Sequence, residues 1–132
     1  TDMAELTALP GGDAAAVDQV LYNLSRRGIE WDLLPWCREA GVTVMAYSPI
    51  EQGRLLKGGA LGAVARALGA TPAQVALAWV LEQGVAAIPR SGSPGHVREN
   101  RGALDLHLPT EALDALGEAF SPPDGPTPLE ML

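Results

Sequence analysis

"TPAQVALAWVLEQGVAAIPRSGSPGHVREN", residues 71–100, carries the reading of the fold. Thr71 can cap a helix, Pro72 suits its first turn, and Gln74 completes a capping box. Val75, Ala78, Trp79 and Leu81 recur at helical spacing and predict its buried stripe. "VAAIPR", residues 85–90, is a short apolar strand. Ser93 and Pro94 then open a second helix in the same way. Helix, apolar strand and helix in succession form a parallel βα unit, with its faces covered by helices. Ligands in such units sit at the C-terminal ends of the strands. Arg90, Ser91, Gly92 and Ser93 fall there, ahead of free helix N–H groups and the positive end of a helix dipole. A guanidinium fork suits phosphate, and His96, Arg98 and Arg101 add basic groups to an acidic chain. The residues alone leave two readings open: an anion site, or a capped helix with a solvated basic face.

The pattern repeats upstream. Residues 2–9 have helical spacing and "PGGDAA" ends them. Val17–Tyr22 reads as a short buried strand, residues 32–41 as a helix with Gly41 as its C-cap, and "VTVMAYSP" as a strand broken by Pro49. A Gly-rich excursion follows, then a helix in "ALGAVARAL". Downstream, "PTEALDALGEAF" is a last helix capped by Thr110, and residues 121–132 form a Pro-rich tail. Three short strands make a small sheet, with Val17–Tyr22 as an exposed edge. The expectation is an α/β architecture that is incomplete by itself.

The chain has 132 residues, 47% of them hydrophobic and 19% charged, a composition that folds into one domain. No apolar run reaches the length of a membrane span, and the acidic start lacks the features of a signal peptide. The net charge of −7 argues against nucleic-acid binding. The single cysteine, Cys37, excludes an intramolecular disulfide, and a cytoplasmic location is the simplest expectation.

Further candidates lie at the other strand ends. Tyr47 closes a strand, where an aromatic ring either stacks on a flat ligand or plugs the sheet end. Gln19 lies inside an apolar strand and Asn23 at its end; each amide needs partners, from the protein or from a ligand. Cys37 sits in an apolar helix pattern and reads as packing, and His107 as surface or structure. The glycines of "KGGALG" read as loop, and Glu111, Asp114 and Glu118 as the solvated face of the last helix. No metal-ligand spacing, nucleophile elbow or phosphate-loop motif is present.

Taken together, these segments resemble the C-terminal part of the aldo-keto reductase superfamily. "DQVLYNLSRRGIEWDLLPWCREAGVTVMAYSPIEQGRLL" is similar to that family's sixth and seventh barrel strands with the helix between them. Residues 71–100 look like its seventh helix, eighth strand and cofactor-phosphate segment, and "LPTEALDALGEAF" like its closing helix. The resemblance implies the last part of a (β/α)8 barrel, with about three βα units and a closing helix, that binds NADP(H). It implies that Gln19 meets the nicotinamide carboxamide and that Tyr47 stacks on the ring. It places Ser48, Ile50 and Gly53 beside the pyrophosphate, and Arg90 and Ser91 at the 2′-phosphate. Glu99 and Asn100 would meet the adenine, with His96 where the family often has arginine. Asp18 stands where the family usually has asparagine, and Arg90 where it often has lysine.

The family's catalytic Asp, Tyr, Lys and His belong to earlier strands, so the resemblance assigns no catalytic residue to this chain. The expected function is the NADP(H)-binding part of an enzyme that reduces a small aldehyde or ketone. The rival is a non-catalytic module that binds a nucleotide or pairs with another barrel fragment. The expected partners are NADPH, a carbonyl substrate, and either an N-terminal barrel portion or a second copy.

Overall fold

The computed structural model describes residues 7–57 and 59–131. The helix expected over residues 2–9 lies largely outside them. The described elements are β1 (Val17–Leu21), α1 (Leu33–Ala40), β2 (Thr43–Tyr47), α2 (Gly59–Leu68), α3 (Pro72–Glu82), β3 (Ala86–Ile88), α4 (Pro94–Gly102) and α5 (Thr110–Ala119). The strands pair in parallel, in the order β1-β2-β3. Gln19 pairs with Met45 and Met45 with Ala86, while Leu21 pairs with Tyr47 and Tyr47 with Ile88. Residues in register on parallel strands share a face, so each of these sets forms one row across the sheet.

Local chemistry explains the helix ends. Asp32 caps α1 by accepting from the Leu33 N–H, and Gly41 ends it at φ 70°, where a Cβ would be disfavoured. At α3 the capping box is complete. The Gln74 N–H donates to Thr71 Oγ1 at 3.2 Å, and the Thr71 N–H donates to Gln74 Oε1 at 3.0 Å. Ser93 Oγ accepts from the His96 N–H at 3.2 Å and starts α4. Thr110 does not cap α5: it lies inside the helix, with Pro109 at the cap position and no side-chain cap bond. Gly59 and Gly62 belong to α2, not to a loop, because the apolar spacing of Leu61, Val64 and Ala65 carries the helix through them.

α3 is the centre of the helical layer, touching α2, α4, β3 and the 3-10 turn Ala103–Asp105. Ala73 and every residue from Val75 to Val80 are buried, so its apolar surface is no narrow stripe. Leu81, expected in the core, is only partly covered. The core joins α3 to Val20, Tyr22, Val44 and Ala46, which alternate along their strands and point to the helices. Tyr22 and Trp79 pack with ring centroids 5.5 Å apart, and the Arg27 guanidinium lies 5.1 Å over the indole. On the opposite face Val17, Gln19 and Thr43 are exposed, whereas Leu21, further along β1 on that face, is buried. Parallel sheets ordinarily bury both faces, and here the first half of β1 is exposed on this one.

No single helix among the described residues is long and apolar enough to cross a membrane. Cys37 is buried, and burial, then the nearby Asp18 charge, raises its thiol pKa, consistent with inert packing. Trp79→Ala should lower stability by about 3–5 kcal/mol and Thr71→Ala by about 1 kcal/mol. Urea denaturation measures both, and equal losses would mean that the Trp79 contacts are not central to the core.

Candidate functional site

The three strands end at one edge, and the loops leaving them carry most of the residues singled out from sequence. Tyr47 is the last residue of β2, half-buried, between Leu21 and Ile88 in its row. Gln19 lies one row lower, on the open face. It is exposed and not enclosed in a buried strand as its apolar neighbours suggested: burial on that face begins only at Leu21. Its amide is therefore available to a ligand. Asn23 is the opposite case. It is fully buried, donates to the Ser48 carbonyl at 3.0 Å and to Glu51 Oε2 at 2.7 Å, and accepts from the Ser25 N–H at 2.9 Å. Asn23 is a satisfied structural amide that ties the β1 exit to the β2 exit.

The loop after β2 has an unusual backbone. Ser48, Glu51 and Gln52 have φ of 49°, 50° and 55°, and Gly53 follows at 84°. Left-handed conformations at non-glycine residues cost on the order of 1–3 kcal/mol each, and they persist only where the surroundings impose them. Such clusters gather at binding sites. Ser48, Ile50 and Gly53 all lie in this strained turn, next to Tyr47.

The loop after β3 is simpler. Arg90 is exposed, and its side chain makes no hydrogen bond or ion pair with the described residues. Ser91 Oγ donates to the Ser93 carbonyl at 3.1 Å and accepts from the Ser93 N–H at 3.3 Å, which shapes the turn into α4. The side-chain oxygen of Ser91 keeps further acceptor capacity. His96, Arg98 and Arg101 are exposed on α4, Arg101 being paired with Asp105 at 2.8 Å. Glu99 and Asn100 lie on the same helix, half-buried. The Glu99 carbonyl accepts from Gln74 Nε2 at 3.1 Å, which fastens α4 to α3. An exposed arginine, a serine turn and the start of α4 make a donor set suited to a phosphate.

The sequence did not reveal Glu51, which is 5% exposed and meets Asn23, Arg26 and Arg54. Arg26 Nη2 and Nε donate to Glu51 Oε1 at 3.1 and 3.3 Å, and Arg54 Nη2 at 3.3 Å. A buried carboxylate is tolerable when it is paired in this way. Its main partners lie 25 and 28 residues away, so no local pattern announces them. A shallow cleft beside the network is lined by Ser25, Arg26, Glu51, Arg54, Leu55 and Phe120.

The two tyrosines sit in different settings, and the Tyr22 hydroxyl is not free to act as a proton donor. Tyr22 is fully buried and its hydroxyl donates to Glu30 Oε1 at 2.7 Å. Burial first, then that hydrogen bond, pushes its phenol well above the ordinary value. Tyr47 lies in the sheet row at the strand end. His107 is exposed, 3.9 Å from Glu82, with no metal-ligand cluster among the described residues.

The Aldo/keto reductase family pattern matches residues 2–120. Methylglyoxal reductase YeaE of Escherichia coli (strain K12) is 47% identical, over 99% of this chain and 48% of that protein. An aldo/keto reductase from Klebsiella pneumoniae, solved with NADP and acetate, superposes with a TM-score of 0.95 at 43% identity, over 99% of this chain and 48% of that one. An aldo-keto reductase from the same organism with NADPH gives 0.94 at 44%, with the same shares covered. The chain thus spans about half the length of these relatives. Its sheet and helices correspond to the C-terminal portion of a (β/α)8 barrel. With the match extending through β1, β2, β3 and the closing helix, the chain belongs to the aldo/keto reductase family.

Proposed function

We propose that residues 1–132 are the NADP(H)-binding portion of a carbonyl reductase, and that the catalytic groups are supplied by another part of a complete barrel. The observation that carries this reading is the convergence of the β2 and β3 exits. A strained loop beside Tyr47 and an Arg90 that is unpaired among the described residues, before α4, leave the same edge of one sheet. The site fits the cofactor on its donor set: a flat ring at Tyr47, an exposed amide at Gln19, and a cationic fork with hydroxyl and helix N–H donors at Arg90 and Ser91.

In this reading Gln19 holds the carboxamide of the nicotinamide, and Tyr47 supports its ring so that one face is open to substrate. The turn at Ser48, Ile50 and Gly53 flanks the pyrophosphate. Arg90 and Ser91 hold the 2′-phosphate, with His96 beside them, and Glu99 and Asn100 meet the adenine. When held by these residues, NADPH would supply the hydride for the carbonyl carbon. The proton for the carbonyl oxygen requires a general acid, and the buried, donated hydroxyl of Tyr22 is unsuited to that task. This is why catalysis is assigned outside these residues. The likeness to a methylglyoxal reductase makes a small 2-oxoaldehyde the first substrate to assay. A protein partner, either an N-terminal barrel portion or a second copy, would cover the open sheet face. The residues 121–132 are the Pro-rich tail of the same unit.

Material proven to contain only these residues should bind NADPH and transfer no hydride to methylglyoxal or other aldehydes. Robust NADPH oxidation would overturn the assignment of the proton donor elsewhere. Arg90→Ala should weaken NADPH binding by about 1.5–3 kcal/mol and leave NADH nearly unchanged. Equal losses for the two cofactors would remove Arg90 from the 2′-phosphate.

A further inference from the structure

The tail that follows α5 has no helix or strand, yet it is fastened to the β1 exit loop along its length. Arg27 Nη1 donates to the Phe120 carbonyl at 2.7 Å, and Trp31 Nε1 donates to the Pro123 carbonyl at 2.8 Å. Gly28 lies against the Thr127 hydroxyl, where a Cβ would collide. Glu130, next to the end of the described chain, pairs with Arg26 Nη1. Pro122, Pro123, Pro126 and Pro128 stiffen the segment, so that holding it in place costs less conformational entropy.

Arg26 is where this tail meets the site. One guanidinium serves two carboxylates: Nη1 takes Glu130 from the tail, while Nε and Nη2 take the buried Glu51. Glu51 lies within the left-handed run of the β2 exit loop, at φ 50°. A strained conformation of this kind needs restraints from outside the loop. Asn23 gives one, to the Ser48 carbonyl and to Glu51 Oε2, and Arg26 gives the second. Arg54, which is on the loop itself and mostly exposed, gives no external anchor.

We propose that Arg26 is a positioning residue for the cofactor loop, and that the C-terminal tail acts through it, Glu130 setting the guanidinium that sets Glu51. The inference rests on the proposed reading that this loop flanks the pyrophosphate of the cofactor. The pyrophosphate is common to NADH and NADPH, so loosening the loop weakens both cofactors by the same factor. Loss of Arg90 instead discriminates between them.

The test compares Glu130→Gln, Arg26→Lys and Arg26→Gln with the unsubstituted protein. Amide hydrogen exchange over residues 48–54 is measured without cofactor, and dissociation constants for NADPH and NADH by fluorescence titration. The Arg26–Glu130 pair is partly exposed, with 38% of each side chain accessible, so Glu130→Gln should raise both constants by about 2- to 5-fold. Exchange in the loop should accelerate by a similar factor. Arg26→Gln should have the largest effect. Arg26→Lys keeps the charge but not the fork that serves two carboxylates, and it should fall between. A lower melting temperature with unchanged loop exchange and unchanged constants for all three variants would reduce Arg26 to a structural residue and overturn the proposal. A change confined to NADPH would also overturn it. If the unsubstituted protein bound neither cofactor, the reading of the site would fail. The exchange measurement would still decide whether the tail restrains the loop, because it involves no cofactor.

Discussion

Parallel pairing in one register places Leu21, Tyr47 and Ile88 in a single row, and the rest of the molecule depends on that row. Parallel strands cannot be joined by tight hairpins, so each must be followed by a crossover that returns along the sheet. The consequence is that all three strand exits point the same way. Everything argued to hold a ligand begins there: the amide of Gln19 one row below, the ring of Tyr47, the turn from Ser48 to Gly53, and the Arg90–Ser91 step into α4. The helices enter the argument as the means of fixing that edge. α3 carries more buried residues than any other described helix, and its contact with Tyr22 through Trp79 ties the first strand exit to the helical layer.

The two loops differ in how they are held. The β3 exit is self-contained, shaped by hydroxyls of Ser91 and Ser93 and by the cap of α4. It leaves Arg90 exposed, with no hydrogen bond or ion pair to the described residues. The β2 exit is strained, and its shape is imposed from elsewhere, by Asn23 at the end of β1 and by Arg26 behind it. Burying Glu51 would be costly without these partners. Once paired, it becomes a rigid link between two loops that sequence separates by 25 residues. A loop for the charged centre of a ligand gains from such restraint, since less motion is lost on binding.

How much of this was legible in the sequence follows from the range of the interactions. The capping box of Thr71 and Gln74, the cap at Ser93 and the glycine stop at Gly41 are contacts within a few residues, so the local sequence shows them. The alternation of strand and helix was legible for the same reason, and the family was legible through the resemblance of whole segments, such as residues 71–100. Thr110 was misplaced by one residue, because the cap position falls to Pro109. Gln19 was misjudged because an apolar strand suggests burial on both faces, whereas burial depends on what covers each face. Glu51 was invisible, since nothing in "SPIEQG" states that an arginine from another loop will neutralise it.

In the proposed site this edge recognises NADP(H) through two separate phosphate contacts. Phosphorus NMR of NADP⁺ titrated with the folded protein tests it most directly, because the 2′-phosphate and the pyrophosphate give distinct signals. The account predicts that both signals shift or broaden, and that Arg90→Ala abolishes the change at the 2′-phosphate while sparing most of that at the pyrophosphate. Signals unaffected by the folded protein, or a 2′-phosphate response indifferent to Arg90, would contradict it.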